Sequence, residues 1–268
     1  MKLAFTVQYS GEGFVGFQRQ KHGRTVQCEL ERAFSIILRH AVRIYAAGRT
    51  DSGVHALGQV IHLRTPLSEN DINLPKLIYG VNSLLPQDLS IIHGAKVSDS
   101  FHARFSCLAR EYLYCLLNTP YRMVLGASWC HWIRQDLDVD KMQQAAQMLL
   151  GERDFAAFTP AVYAKMGEKT RRRLDKLEVI KIPPFVYLYF RGSGFLHNMV
   201  RIITGTLVEI GQGKKKVEDM GQILSCRNRL LAGVTAPAKG LCFLRARYEE
   251  YETPEELIPP YRWLAPYI

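Results

Sequence analysis

The order of apolar patterns along this 268-residue chain constrains its fold more than any single motif does. Residues 2–9 alternate as a strand. Thr25, a good helix N-cap, precedes Val26, Leu30, Ala33, Phe34, Ile37 and Leu38, one apolar stripe at helical spacing. Residues 42–47 and 59–64 read as two further strands. Leu77, Val81, Leu84 and Leu85 suggest a helix stopped by Pro86, and residues 89–97 a fourth strand. This β-α-β-β-α-β order is the ferredoxin-like split βαβ arrangement, a mostly antiparallel sheet with helices on one face. The pattern then restarts. Residues 110–117 read as a strand with Tyr112, Tyr114 and Leu116 on one face. Asp140 opens a helix through Met142, Ala145, Ala146 and Leu149 that Gly151 closes. Strands 174–182 and 185–191 join at Pro183-Pro184. Phe195, Met199, Ile202, Ile203, Thr206 and Ile210 stripe a long helix, followed by a shorter helix at 217–224 and a strand at 241–248. The expectation is an α+β protein with two ferredoxin-like (RRM-like) α/β halves, and no sequence repeat beyond that shared order. Its boundaries fall at 1–104 and 105–248, with 249–268, rich in Pro, Glu and Tyr, as an irregular tail.

Hydrophobic content of 47% and charged content of 22% are those of a globular protein with a substantial core. No apolar run approaches the ~20 residues that span a bilayer. The start alternates like a strand and lacks a signal peptide's apolar block, so a cytoplasmic protein without a membrane partner is expected. Six cysteines form no C-x-x-C pair and no His cluster has zinc spacing, so neither disulfides nor a metal is expected. The net charge of +10 points to a polyanionic partner, nucleic acid before others.

The stretch that concentrates chemistry is Gly48-Arg49-Thr50-Asp51-Ser52-Gly53-Val54-His55-Ala56, at the end of the strand 42–47. Loops at strand ends expose groups that a rigid element positions. Asp51 has two readings: a capping residue of a strand–turn, or a catalytic carboxylate, ionised at neutral pH and held so by Arg49, able to act as nucleophile or base. Tyr112 is a core ring or a ring that stacks on a base. His197 and Arg201, at i and i+4, share one helix face, either solvated or turned to a carboxylate or phosphate. The runs Lys169–Arg173 and Lys214–Lys216 read as solvated loops, adding non-specific affinity for a phosphate backbone.

Gly11-Glu12-Gly13-Phe14-Val15-Gly16 is a literal G-x-G-x-x-G after a strand. A dinucleotide site needs a helix to open inside that motif, and the helical pattern begins only at Thr25. The segment reads instead as a basic loop with Arg19, Lys21 and Arg24 available to phosphate.

Several stretches together resemble the tRNA pseudouridine synthase A (TruA-type) family: Gly16-Phe17-Gln18-Arg19-Gln20, Gly48 to Ala56, and Phe101-His102-Ala103-Arg104-Phe105-Ser106. So do Arg110 with Tyr112, Asp154-Phe155 with Phe158, Phe195 to Arg201, and Ala238-Lys239-Gly240-Leu241. They follow the family's order from residue 16 to 241, and the block around Asp51 is the most specific. The resemblance implies a pseudouridine-synthase fold whose two sheets join into one central sheet. It implies a homodimer that binds tRNA and needs no cofactor. It also implies isomerisation of uridine to pseudouridine at positions 38, 39 and 40 of the anticodon stem-loop. By the motif match Asp51 is the nucleophile, Arg49 its ion-pair partner, Tyr112 the active-site aromatic and Arg201 a second arginine at the carboxylate. Arg19, Arg24, His55, Arg104, Arg110, His197 and Tyr112 are the substrate-binding candidates. Two residues depart from the family pattern. Ser52 stands where many members have Ala, and Glu111 where a second basic residue is frequent, which weakens an expected phosphate contact.

Two other readings compete. A basic twin-domain RNA-binding protein without catalysis shares the charge and the element order, but leaves Arg49-Thr50-Asp51 unexplained. A nucleotide-dependent enzyme built on Gly11, Gly13 and Gly16 predicts tight NAD or ATP binding.

Overall fold

The computed structural model describes residues 1–165 and 169–258, apart from the side chains at 69, 164 and 165. In chain order the strands are β1 (Lys2–Tyr9), β2 (Ile44–Ala46), β3 (His55–Arg64), β4 (Leu89–Val97), β5 (Ala109–Asn118), β6 (His131–Ile133), β7 (Gly151–Asp154), β8 (Arg171–Ile182), β9 (Phe185–Gly192) and β10 (Leu241–Arg247). The helices are α1 (Val26–Leu38), α2 (Leu74–Asn82), α3 (Val139–Gln147), α4 (Ala161–Lys165), α5 (Met199–Gly211) and α6 (Asp219–Cys226). The chain divides into two compact units, Met1–Arg110 with residues 242–258, and Glu111–Leu241. The α+β class is the expected one.

In the first unit β1 lies between β4 and β3, antiparallel to both. The far edge of β3 is shared. Its end pairs with β2 (Ile44↔Leu63 to Ala46↔Ile61), and its beginning pairs in parallel with β10 at Cys242↔His55 and Phe243↔Ala56. The order β4-β1-β3-β2 is that of the split βαβ arrangement. Alternation along β1 gives the sheet two different faces. Phe5 meets Phe34 of α1 at 4.9 Å between ring centroids, and Ile78 of α2 approaches Gly94 on the same side. Thr6 points the other way, to Tyr251 (2.9 Å) and Thr253 (2.6 Å). Residues 249–258 therefore strap the face opposite α1 and α2, with Tyr251, Thr253 and Ile258 buried and Gln8 Nε2 donating to the Leu257 carbonyl. Arg245, 2% exposed, donates to Glu252 and Glu255 of the strap. The expected irregular tail has neither strand nor α-helix over 249–258, and it is packed against the sheet there; 259–268 lie outside the described residues.

In the second unit the order is β5-β9-β8-β7, with β6 parallel to β5. Gln143 ties α3 to β8, accepting from the Val179 N–H at 2.7 Å. The segment 232–237 lies along α5, where Gly205 is needed. A Cβ there would stand 1.8 Å from the Val234 carbonyl oxygen.

Several boundaries differ from the sequence expectation. β2 is only Ile44–Ala46, because the Val42 N–H goes to Ser35 Oγ rather than to a strand. β3 starts at His55, four residues early. α2 ends at Asn82, before Leu84 and Leu85, whose N–H groups turn back to Val81. The cap of α3 is Asp138, which accepts from the Lys141 N–H, not Asp140. Gly151 (φ 84°) opens β7 instead of closing that helix. β6 and β7 were not expected. α6 sits two residues later than its pattern. Ile37, placed in the buried stripe of α1, is 36% exposed. Arg171–Arg173 are not loop but the first rungs of β8, paired with Asp154–Glu152 of β7, and Arg171 reaches Glu152 at 3.0 Å. The Lys214–Lys216 run is the turn between α5 and α6, with Lys215 paired to Glu209.

Candidate active site

The Asp51 stretch is a loop between β2 and β3 whose backbone is bonded along its length. The Ala47 N–H reaches Val60, and the Ala47 carbonyl accepts Arg110 Nε at 2.9 Å. Gln59 Nε2 donates to the Gly48 carbonyl at 2.9 Å. Thr50, 7% exposed, is held through its hydroxyl by Tyr9 Oη (2.8 Å) and through its carbonyl by the Phe17 N–H (3.0 Å). Burial pushes the Tyr9 phenol far above its ordinary value, so it stays a neutral hydroxyl. The Val54 N–H closes a turn on the Asp51 carbonyl at 3.2 Å, with Gly53 at φ 79° in the third position, where a type II turn takes glycine. Ser52 Oγ donates to the Phe14 carbonyl. The result is a half-buried Asp51 on an immobilised turn, with Arg49 exposed two residues before it.

The loop that supplies Phe14 and Phe17 is the glycine-rich 11–17 segment. It holds no opening helix; Gly11–Gly13 is a single 3-10 turn and α1 begins at Val26. The glycine has another cause. A Cβ on Gly11 would stand 2.2 Å from the Val54 carbonyl oxygen, and the Gly11 N–H donates to His55 Nδ1 at 3.1 Å. The segment is a buttress laid directly on the Asp51 turn.

Each substrate-binding candidate has a defined place. His55 is 1% exposed and receives that Gly11 bond, so its ring acts on the turn. Arg19 is ion-paired to Glu31. Arg24 clasps Asp88 with two donors (2.9 and 2.5 Å), reaches Glu29 at 3.3 Å and lies over the Phe14 ring at 4.2 Å. Both arginines are ion-paired to acids of the first unit; Arg24 is half-buried, while Arg19 stays exposed and open to solvent on its outer side. Glu31, buried on α1, also accepts the Ile44 N–H and thereby joins helix, buttress and β2. The apolar stripe read from the sequence passed over it, and a charged residue inside such a stripe was the available signal. Arg110 donates Nε to Ala47 and Nη2 to the Arg104 carbonyl (2.7 Å), while the Arg104 side chain is exposed. Glu111 is fully buried, so it does not stand where a phosphate contact was expected.

In the second unit Tyr112, 7% exposed, meets the Phe195 ring edge-on at 5.0 Å. Tyr114 is the core ring, its hydroxyl on the Pro237 carbonyl. His197 and Arg201 do not share a helix face. α5 starts at Met199 after Asn198, whose φ of 58° is left-handed, and asparagine tolerates that conformation better than most residues. His197 lies before the helix, exposed, 4.8 Å from the Tyr163 ring. Arg201 is held by Nε to the Ala236 carbonyl (2.7 Å) and Nη1 to Asn198 Oδ1 (2.9 Å). No group of three or more His, Cys, Asp or Glu able to hold a metal occurs among the described residues, and no described helix is long and apolar enough to cross a membrane.

The fold and site define an α+β protein that presents a carboxylate on a buttressed turn between two adjacent strands. A sequence profile described as tRNA pseudouridine synthase matches residues 5–106 and 145–249, which include Asp51 and Arg201 but not Tyr112. The chain is 40% identical over 264 residues to the tRNA pseudouridine synthase A of Hydrogenovibrio crunogenus, covering 98% of this chain and 99% of the relative. It is 43% identical over 247 residues to that of Brevibacillus brevis (92% and 99%) and 42% over 250 residues to that of Paraburkholderia phytofirmans (93% and 90%). The chain belongs to the tRNA pseudouridine synthase family, and its mixed α+β architecture agrees with the fold of that family.

Proposed function

We propose that this enzyme isomerises uridine to pseudouridine at positions 38, 39 and 40 of the tRNA anticodon stem-loop, with Asp51 as the nucleophile. The observation that carries this reading is the Asp51 turn itself. Tyr9, Phe17, Gln59, Ser52 and the Gly11 segment all act on its backbone or scaffold, and the side chain they present is one half-buried carboxylate. Such pre-organisation places a reacting group within the narrow tolerance that catalysis needs.

The reaction breaks the N1–C1′ bond, turns the uracil and joins C5 to C1′; the C5 proton is released to solvent and N1 takes up a proton in its place. It is redox-neutral. Asp51 reaches C1′ or C6 only when the uridine leaves the stack, which costs a few kcal/mol and less in a loop than in a duplex. Contacts to distant phosphates, favoured by the charge of +10, offset that cost. Attack at C1′, addition to C6 and removal of the C2′ proton are three routes open to the same carboxylate. By the family's residue pattern Arg49 is the ion-pair partner of Asp51, Tyr112 the aromatic that stacks on the base, and Arg201 a further catalytic arginine. The reading includes a homodimer working in the cytoplasm.

Mapping pseudouridine on an unmodified tRNA transcript after incubation tests the site assignment. New pseudouridine confined to positions 38–40 is the expected result; modification elsewhere only would sink it.

A further inference from the structure

Starting on β2 and β3, the two strands that the Asp51 loop joins, the first unit carries a ladder of rings. Tyr45 on β2 stacks on its cross-strand partner His62, with centroids 5.1 Å apart and planes at 18°. His62 meets His102 at 4.6 Å, and His102 meets Phe105 at 4.4 Å. An arginine stands at each end: Arg43 over Tyr45 at 5.3 Å, and Arg104 over Phe105 at 5.8 Å. Only His62 is buried. Tyr45 is 41% exposed and Phe105 77%. A single exposed ring needs no explanation. Two exposed rings joined by an unbroken chain of ring contacts, stacked at Tyr45–His62, edge-on at His62–His102 and tilted at His102–Phe105, each beneath a guanidinium, in a chain of net charge +10, match what unpaired nucleic acid requires: π-faces for bases and cations for phosphates.

Two further facts favour that occupant. Burial pushes the His62 imidazole down to about 4, with His102, Lys2 and Arg64 adding to the effect, and burial also lowers His102. The inner rungs are therefore neutral at physiological pH and serve as rigid backing, while the positive charge stays on the two flanking arginines. The ladder is also tied to the catalytic turn. Gly48, where the Asp51 stretch opens, follows Tyr45 of β2 by three residues, and Arg110 holds the Ala47 and Arg104 carbonyls with one guanidinium.

We propose that the ladder is a stacking platform for an unpaired nucleotide flanking the target uridine, with its base on Phe105 and its phosphate on Arg104. This rests on the proposed RNA reading. Drawing a uridine out of its stack leaves its neighbour with an uncovered face, and the platform covers it.

The test compares two RNAs at one salt concentration: an anticodon stem-loop hairpin and a blunt duplex with the same number of phosphates. Phe105 is exposed, so Phe105→Leu leaves the core intact, which a thermal melt checks. Phe105→Leu is expected to weaken hairpin binding about 10-fold and leave the duplex unchanged, while Phe105→Trp restores the hairpin, since stacking is tolerant of ring type. Arg104→Gln, also at an exposed position, is expected to weaken the hairpin and reduce the salt dependence of its binding. Equal loss on both RNAs, or loss on neither, overturns the platform, the latter pointing to a protein partner or to none. Uridine isomerisation by the unaltered enzyme is measured alongside. If it is absent while the hairpin–duplex contrast stands, the catalytic reading fails and the platform survives; the reverse pattern removes the platform alone.

Discussion

The two units hold their candidate site residues, Asp51 and Arg201, by different means. Asp51 sits on a loop that has no regular structure, yet hydrogen bonds from Arg110, Gln59, Tyr9 and Phe17 reach its backbone and side chains, and a second loop is laid against it at Gly11. Arg201 sits in the first turn of a regular helix and is fixed through its own guanidinium, by the Ala236 carbonyl and Asn198 Oδ1. In both a glycine lets a neighbouring segment dock: Gly11 beneath Val54, Gly205 beneath Val234. A short carboxylate has little reach of its own, so its backbone must be placed. A long guanidinium can be steered at its tip, so its backbone need only be helical.

Among substitutions in the scaffold around these groups, the largest effect is expected from Gly11→Ala. The new Cβ, 2.2 Å from the Val54 oxygen, forces backbone apart with no compensating gain, costing about 3 kcal/mol by the range for overpacked sites. The shift of the Asp51 turn lowers kcat about 100-fold. Urea unfolding and single-turnover kinetics read the two parts. Gly205→Ala faces a closer clash, 1.8 Å, but alanine gains about 1 kcal/mol in helix propensity, so the net loss is about 2 kcal/mol. Equal kcat losses in the two variants would break the contrast between a placed backbone and a steered tip. Asn198→Ala puts a Cβ residue without asparagine's tolerance at φ 58° and is expected to cost about 1–2 kcal/mol. Asn198→Gly keeps the backbone and removes only the bond to Arg201, so it sharpens the contrast by lowering activity while the urea midpoint hardly moves. The smallest effect belongs to Tyr9→Phe. It strands the buried Thr50 hydroxyl at about 1 kcal/mol and lowers kcat several-fold with KM unchanged.

Apolar periodicity carried the long elements: β1, α1, β4, β5, β9 and β10 lie where the pattern puts them, since each has a run of apolar side chains to bury. β6 and β7 are three and four residues long, and Gly151–Asp154 offers no apolar residue to a period-2 pattern. The stripe through Phe195 and Met199 mimicked a helix start, because spacing alone does not register a left-handed Asn198. Asp51 was legible as a concentrated polar stretch. The reason for Gly11 was not, since its partner Val54 is 43 residues distant and only the fold brings them together. The same holds for Arg19 and Arg24, whose acids at Glu31 and Asp88 become neighbours only after folding.

The most direct test is tritium release from 5-labelled uridine in tRNA, run with the unaltered enzyme and with Asp51→Asn at equal RNA saturation. The substitution keeps the size and the turn while removing the charge. The account predicts release by the unaltered enzyme and a loss of more than about 1,000-fold in the variant, with tRNA affinity retained. Near-normal turnover by Asp51→Asn would contradict it.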